Sequence, residues 1–300
     1  MNAKIGRRIG LALASLVFVL YILAPVAWMV SSSFQNEAEI TSKPPHWIPH
    51  QPTLENFAAI FQADKEVTYE TRRQGDTATG GYIPSTAKNL LPAMWNSTIV
   101  AVMVVILNLL VSIPAAYALA KIRFVGRSSS IYLMLTTRVI PDIALVVPFF
   151  LFIRKLGLMD SLSSLVITYL AITVPFSIFI LVSYFEGLPD ELDKAARVDG
   201  CSRLQTLLHV FLPLALPSLV AVVLFTFLTS WNEFLLALMF TQTPASQTMP
   251  IVVASFTSDF TISFSFINAA GVLAIIPPVI LALMFERYIV SGLTAGAVKG

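Results

Sequence analysis

Six long apolar stretches, near residues 9–30, 94–118, 131–153, 162–185, 210–236 and 267–289, constrain this chain more than any other feature. A helix rises about 1.5 Å per residue, so roughly 20 mainly apolar residues cross a hydrocarbon core of about 30 Å. Hydrophobic residues make up 56% of the chain and charged residues 12%, against about 25% charged in an average soluble domain. So few charges cannot cover a soluble surface of this size, which excludes a soluble enzyme. A net charge of +2 gives no reason to expect a nucleic-acid partner. The single cysteine, Cys201, excludes an internal disulfide and a cysteine-based zinc site. The expected fold class is an all-α integral membrane protein with six transmembrane helices.

Orientation follows from the short loops, where Lys and Arg favour the cytoplasm. With the N-terminus inside, the cytoplasmic segments carry Lys4, Arg7, Arg8, Lys121, Arg123, Arg127, Lys194, Arg197, Arg203, Arg287 and Lys299. The short outer loops carry only Arg154 and Lys155. The first apolar run is too long for a secretory h-region and Pro25, Trp28 and Met29 stand where a cleavage site would be, so it reads as a retained helix. The expected organisation is an N-terminus and first helix (1–30), an extracytoplasmic loop (31–93), a five-helix core (94–289) and a tail (290–300), with both termini cytoplasmic.

The outer loop opens with a proline-rich stretch from Lys43 to Pro52 that reads as extended. A helix is expected next, with Thr53 as N-cap and Leu54, Phe57, Ala58 and Phe61 on one face. Residues 64–86 turn polar and glycine-containing and read as a flexible insertion. The loop is either a tether between helices or a surface that receives an extracytoplasmic partner. Pro114, Pro141, Pro148, Pro175, Pro213, Pro217, Pro277 and Pro278 recur in or beside the later spans. They suit helices that bend around a pathway, although packing kinks would look the same.

The segment 186–213 is the most informative. Pro189, Asp190 and Glu191 open a helix with carboxylates near its positive end, and Gly200 supplies the left-handed residue that ends it. Ser202 can cap a second short helix that leads to Leu212 and Pro213. Two short helices meeting at a glycine, with Ala195 and Ala196 permitting close approach, form a knob suited to mechanical coupling rather than a catalytic cleft.

Here the sequence resembles the EAA loop of ABC-importer permeases, through Lys194-Ala-Ala-Arg-Val-Asp-Gly200 and Val210-Phe-Leu-Pro213. Asn96-Ser97, Arg154-Lys-Leu-Gly-Leu158, Ser230-Trp-Asn-Glu-Phe234 and the tail from Glu286 extend the resemblance, in order, to the carbohydrate-importer branch with its MalG-like subunits. The resemblance implies a type I half-transporter for a sugar or sugar derivative. It would work with a second, related permease, two cytoplasmic ATPase subunits that bind the EAA helices, and an extracytoplasmic solute-binding protein. The chain has no Gly-rich phosphate loop of its own, so no cofactor is expected on it, and ATP and Mg would sit on the partner subunits. The resemblance assigns the coupling loop to Asp193, Lys194, Ala195, Ala196, Asp199, Gly200, Leu212 and Pro213. The glutamate of the family motif falls on Lys194. Asp193 or Asp199 then makes the polar contact with the ATPase, docking relies on shape, or a partner permease compensates.

Charges within the spans mark candidate pathway residues. Arg138 lies about two turns into the third stretch with Asp142 four residues on, which would share a face of a continuous helix. They are read as pathway lining or as a self-neutralising pair, and a guanidinium kept at membrane depth would also suit an anionic sugar derivative. Asn232 and Glu233, near the outer end of the fifth stretch, are read as pathway or gate residues, or as part of an interfacial belt with Trp231. His46, His50 and His209 read as too scattered for a metal site, and Phe256, Phe260, Phe264 and Phe266 as an interfacial helix. A self-sufficient secondary transporter or channel is the alternative function, but it should carry mid-membrane coupling carboxylates, for which only Asp142 qualifies. A membrane enzyme should cluster His, Asp or Glu at one interface, and no such cluster is legible.

Overall fold

A computed structural model describes the backbone of residues 2–61, 85–257 and 264–297, and the side chains of 7–61, 86–257 and 264–288. All regular structure among these residues is helical. The expected insertion at 64–86 falls almost wholly outside them, as do Phe260 and residues 298–300.

The elements run in order α1 (Asn2–Ser33), α2 (Glu37–Ile40), α3 (Glu55–Phe61), a 3₁₀ turn (Ser85–Asn89), α4 (Leu90–Lys121), α5 (Arg127–Thr137), α6 (Asp142–Lys155) and α7 (Leu162–Glu186). They continue with α8 (Asp190–Val198), α9 (Arg203–Thr206), a π turn (Leu207–Phe211), α10 (Leu212–Leu214), α11 (Leu216–Asn232), α12 (Leu235–Phe240), α13 (Met249–Ser255) and α14 (Phe264–Ala297). Among the described residues, Arg7–Ser33, Thr86–Lys121, Leu162–Glu186 and Phe264–Tyr288 are each long and apolar enough to cross a membrane.

The other two expected spans are not continuous helices. The third breaks between α5 and α6 with a bend of 97°, and the fifth bends by 82° between Arg203–Leu214 and Leu216–Asn232. Proline explains both. In an unbroken helix Pro141 could not donate to the Thr137 carbonyl, its ring would clash there, and Ile140 would be pushed out of the α region. Helix α5 accordingly ends at Thr137, and Pro141 caps α6 from an extended conformation (φ −61°, ψ 135°). Pro217 stands in the same relation to Pro213, and the chain turns at Ala215 between them. Six spans result if each bent pair counts as one.

By internal packing the chain forms two compact units, residues 1–91 with 252–276 and residues 92–251 with 277–300. In the first, the Glu37 carboxylate accepts the N–H groups of Phe264 (3.1 Å) and Ser265 (3.0 Å), covering two donors at the positive end of α14. A Cβ on Gly271 would come within 2.9 Å of Met29 Sδ, so glycine lets α1 and α14 approach closely. Thr53 Oγ1 accepts the Glu55 N–H at 3.1 Å and starts α3 where expected. The expected face is wrong, however: Leu54 and Phe61 are exposed, Ile60 is buried, and Phe57 packs on Phe34. Phe256 and Phe266 are likewise core residues packed edge to face, not an interfacial strip.

In the second unit α4, α7 and α11 meet around a buried polar clasp. Asn108 Nδ2 donates to Ser177 Oγ and Thr226 Oγ1, each at 2.9 Å, and all three side chains are fully buried. Such contacts hold membrane helices in register where apolar burial against lipid cannot. Tyr117 near the end of α4, Phe185 near the end of α7 and Phe211 of the π turn form a buried aromatic cluster.

Candidate functional site

The 186–213 segment folds as the knob its sequence implies. Cys201 N donates to Ala196 O (3.0 Å) and Gly200 N to Arg197 O (3.2 Å), with Gly200 at φ 83°. This is the Schellman closure of a helix at a left-handed residue. Ser202 and Gln205 then form a reciprocal capping box that starts α9. A left-handed stop followed at once by a capped start fixes the angle between the two helices.

The knob is fastened to α4 at two points. Tyr117 Oη donates to Asp193 Oδ1 at 2.7 Å. One turn on, Lys121 Nζ donates to Asp190 Oδ1 (2.7 Å) and to Leu188 O (2.8 Å). Positions 117 and 121 share a face of α4, and 190 and 193 a face of α8, so the two contacts reinforce each other. The Lys121 side chain is only 4% exposed and its ammonium also lies over the Phe211 ring. Hydrogen bonding to Lys121 holds the Asp190 carboxyl below the usual carboxylate range. Arg127 adds an ion pair to Glu186 at 2.5 Å.

This arrangement sorts the expected coupling residues. Asp193 is not poised to replace the family glutamate, because its carboxylate faces inward and is held by Tyr117. Ala196 is buried against the bundle. Lys194, Ala195, Val198, Asp199 and Gly200 are exposed, and Val198 is 87% exposed. Leu212 is half-buried and Pro213 exposed, at the bend into α11. Cys201 contributes its backbone N–H to the helix stop.

The expected pathway residues do not converge as a set. Arg138 and Asp142 fall on either side of the α5–α6 break, so the shared face and the self-neutralising pair are both lost, and no ion pair joins them. Arg138 instead donates through Nη1 to Ile172 O (3.3 Å), with its guanidinium 5.2 Å and 5.9 Å from the ring centres of Phe176 and Phe225. Two aromatic faces hold the cation while the side chain remains exposed. Asp142 sits in the first turn of α6, where the helix dipole favours its charge. Asn232 turns back on its own helix, donating to Leu228 O at 2.9 Å. Glu233 accepts from Tyr169 Oη (2.6 Å) and from the N–H groups of Leu236 (2.8 Å) and Ala237 (3.1 Å). It is neither a solvated belt carboxylate nor a free one: it stops α11 and caps α12.

Asp160 was not legible as a site residue. At φ 57° it closes the corner before α7, and its carboxylate accepts from Ser246 Oγ, from the N–H groups of Gln242 (2.8 Å) and Thr243 (3.0 Å), and from Thr243 Oγ1 (2.7 Å). These donors, Ser246 foremost, hold its carboxyl well below the usual range. Asn96 pins the same 240s segment through the carbonyls of Ala245 (3.1 Å) and Gln247 (2.9 Å), and Ser97 accepts the Met249 N–H. Their early place in α4 was a visible signal; that of Asp160 was not, because its partners lie over 80 positions away. In the first unit, His46 and His50 are not scattered. They meet Glu39, with all three ligand atoms within 4.8 Å of one another.

Residues 109–294 match the family described as "Binding-protein-dependent transport system inner membrane component". The chain is 34% identical over 288 residues to the sulfoquinovosyl glycerol transport system permease protein SmoH of Agrobacterium fabrum, covering 96% of this chain and 93% of that one. It is 36% identical to the trehalose/maltose transport system permease protein MalG of Thermococcus litoralis, over the whole of both chains. A crystal structure of a bacterial ABC transporter involved in the import of the acidic polysaccharide alginate shares the fold, with TM-score 0.73 and 23% identity over 94% of this chain and 96% of that one.

Proposed function

This chain belongs to the family of binding-protein-dependent transport system inner membrane components, and on that premise we propose that it is the permease subunit of an ATP-driven importer for a sugar or sugar derivative. The observation that carries this reading is the α8–Gly200–α9 knob, fixed to α4 by Tyr117–Asp193 and Lys121–Asp190 while Lys194, Ala195 and Val198 face outward. A rigid lever with an exposed outer face transmits a push. It holds no constellation that could cleave a nucleotide, so hydrolysis of ATP with Mg belongs to two partner ATPase subunits docked on this knob and on that of a second permease.

The basic residues around the knob favour a cytoplasmic side for it and for both termini. The segment 31–93 then lies outside, where a solute-binding protein delivers the sugar. The substrate passes between the two permeases along a pathway to which this chain contributes Arg138, Asp142, Asn232 and Glu233. Arg138 is the reader among them. The rings of Phe176 and Phe225 orient its guanidinium, and its remaining N–H groups can meet hydroxyl or acidic oxygens of a passing sugar. Asn232 and Glu233 shape the outer end by fixing the turn between α11 and α12.

The experiment is reconstitution in lipid vesicles with a second permease and an ATPase from the same organism. Loaded binding protein should stimulate ATP hydrolysis and sugar should accumulate inside. Sugar uptake by this chain alone, without ATP, would establish a secondary carrier instead.

A further inference from the structure

The segment after α1 builds a site that the transport reading does not use. Glu39 lies in α2, and His46 and His50 lie on the proline-rich stretch that follows. The stretch is tied down along its length. Gln35 Nε2 donates to His46 O at 2.7 Å, Ser31 Oγ to Trp47 O at 2.5 Å, and Thr53 N to Phe34 O at 2.8 Å. Trp47 packs edge to face on Trp28, with ring centres 4.8 Å apart. The histidine backbones are therefore held before any ligand arrives.

Their side chains meet around one carboxylate. The His50 N–H donates to Glu39 Oε1 at 2.6 Å, and His50 Nδ1 lies 3.1 Å from the same oxygen. The imidazoles of His46 and His50 are 4.3 Å apart, edge to face. Ser42 Oγ lies 3.3 Å from His46 Nδ1 and helps to orient that ring. The three residues, with Asn36 and Gln51, line a cleft of about 280 Å³. The Glu39 side chain is 8% exposed and that of His50 69%, so the anion is sheltered while one ligand stands at the mouth.

We propose that Glu39, His46 and His50 bind one divalent cation of the zinc class. Two imidazoles and a carboxylate are the nitrogen and oxygen donors that zinc takes at about 2.0–2.2 Å, and three protein ligands leave a fourth position for water. The three ligand atoms already lie within 4.8 Å of one another, close to the spacing of one coordination sphere. A bound ion would staple α2 to the stretch between Pro44 and Pro52.

The test uses the full chain in detergent micelles, purified without a histidine tag, stripped with chelator and titrated with ZnCl₂ against a chromophoric competitor. The expected result is one tightly held zinc per chain. The affinity should fall at least about tenfold in His46→Gln, His50→Gln and Glu39→Gln, and should be unchanged in His209→Gln and Cys201→Ser. CoCl₂ added to the unmodified chain should give the intense visible absorption of a four-coordinate ion, a readout that needs no variant. Failure to retain zinc, or equal affinity in the double variant His46→Gln, His50→Gln, overturns the proposal and leaves Glu39–His50 as a structural contact only. Neither outcome bears on sugar transport, which is measured separately.

Discussion

Tyr117 and Asp193 are 76 residues apart in sequence and joined by a 2.7 Å hydrogen bond between the last turns of α4 and the middle of α8. The bond turns a surface loop into an extension of a membrane helix. With Lys121–Asp190 one turn away, a displacement of α8 carries α4 with it.

Tyr117→Phe removes the donor, leaves the Asp193 carboxylate half-buried without it, and costs on the order of 1–3 kcal/mol locally. The expected outcome is a complex that assembles but whose ATPase activity responds less to loaded binding protein. The loss should deepen with Lys121→Met added, and Asp193→Asn, which can still accept, should be milder. Full stimulation in the Tyr117→Phe, Lys121→Met double variant would show that coupling does not run through these contacts.

At Gly200 an added Cβ meets nothing within 4 Å, so only the positive φ opposes a side chain. Gly200→Asn should be mild, Gly200→Ala should cost about 1–2 kcal/mol, and the β-branched Gly200→Val more. Thermal denaturation of the assembled complex should follow that order, and stimulated ATP hydrolysis should fall with it. Wild-type stimulation in Gly200→Val would count against the knob as a lever.

Lys194 is exposed on the outer face of α8, so replacing it should not alter how much chain reaches the membrane. Lys194→Glu restores the family residue and reverses a charge where the ATPase is proposed to dock. Co-purification of the ATPase should change, and Lys194→Ala should separate loss of charge from its reversal. Unchanged yield and transport in both variants would assign docking to shape, through Ala195 and Val198.

Arg138 and Asp142 are separated by the proline break and do not pair, so their substitutions should add within roughly 0.3–0.5 kcal/mol. Arg138→Gln should lower transport more than membrane level, and Arg138→Lys should keep the charge but lose the planar fork. Adding Asp142→Asn should rescue neither. Restoration of both level and transport by the double change would mean that the two residues form a structural pair in the assembly.

Asp160 gives the fold an acid limit. Its folded pKa is depressed, so its contribution is fully present above the ordinary carboxylate range near 4 and is lost as pH falls through the lower folded value. Asp160→Asn should flatten the acid side of the stability profile, while Asp160→Ala, which also loses tolerance for φ 57°, should destabilise at every pH. Identical acid melting of wild type and Asp160→Asn would remove the clamp from the account.

The sequence by itself determined whatever depends on neighbours along the chain. The apolar lengths fixed the spans, because only helices satisfy their own backbone in lipid. Gly200, Ser202 with Gln205, and the Pro189 start fixed the knob, because caps and left-handed stops act within about five residues. The family was legible for the same reason, its motif lying in one uninterrupted segment. Helical periodicity misled on the short α3, whose buried face is not the expected one, and where a helix stopped being continuous: it put Arg138 and Asp142 on one face, whereas Pro141 breaks the turn between them. The tertiary structure decided which polar groups are already engaged. Asp193 is held by Tyr117, Glu233 by Tyr169 and the start of α12, Asp160 by the 240s segment, and Glu39 meets two histidines across a folded-back strap. A buried or half-buried carboxylate takes the nearest well-placed donor, which here comes from another helix or from a loop folded against it. Its identity is set by packing between elements distant in sequence, which no local pattern records.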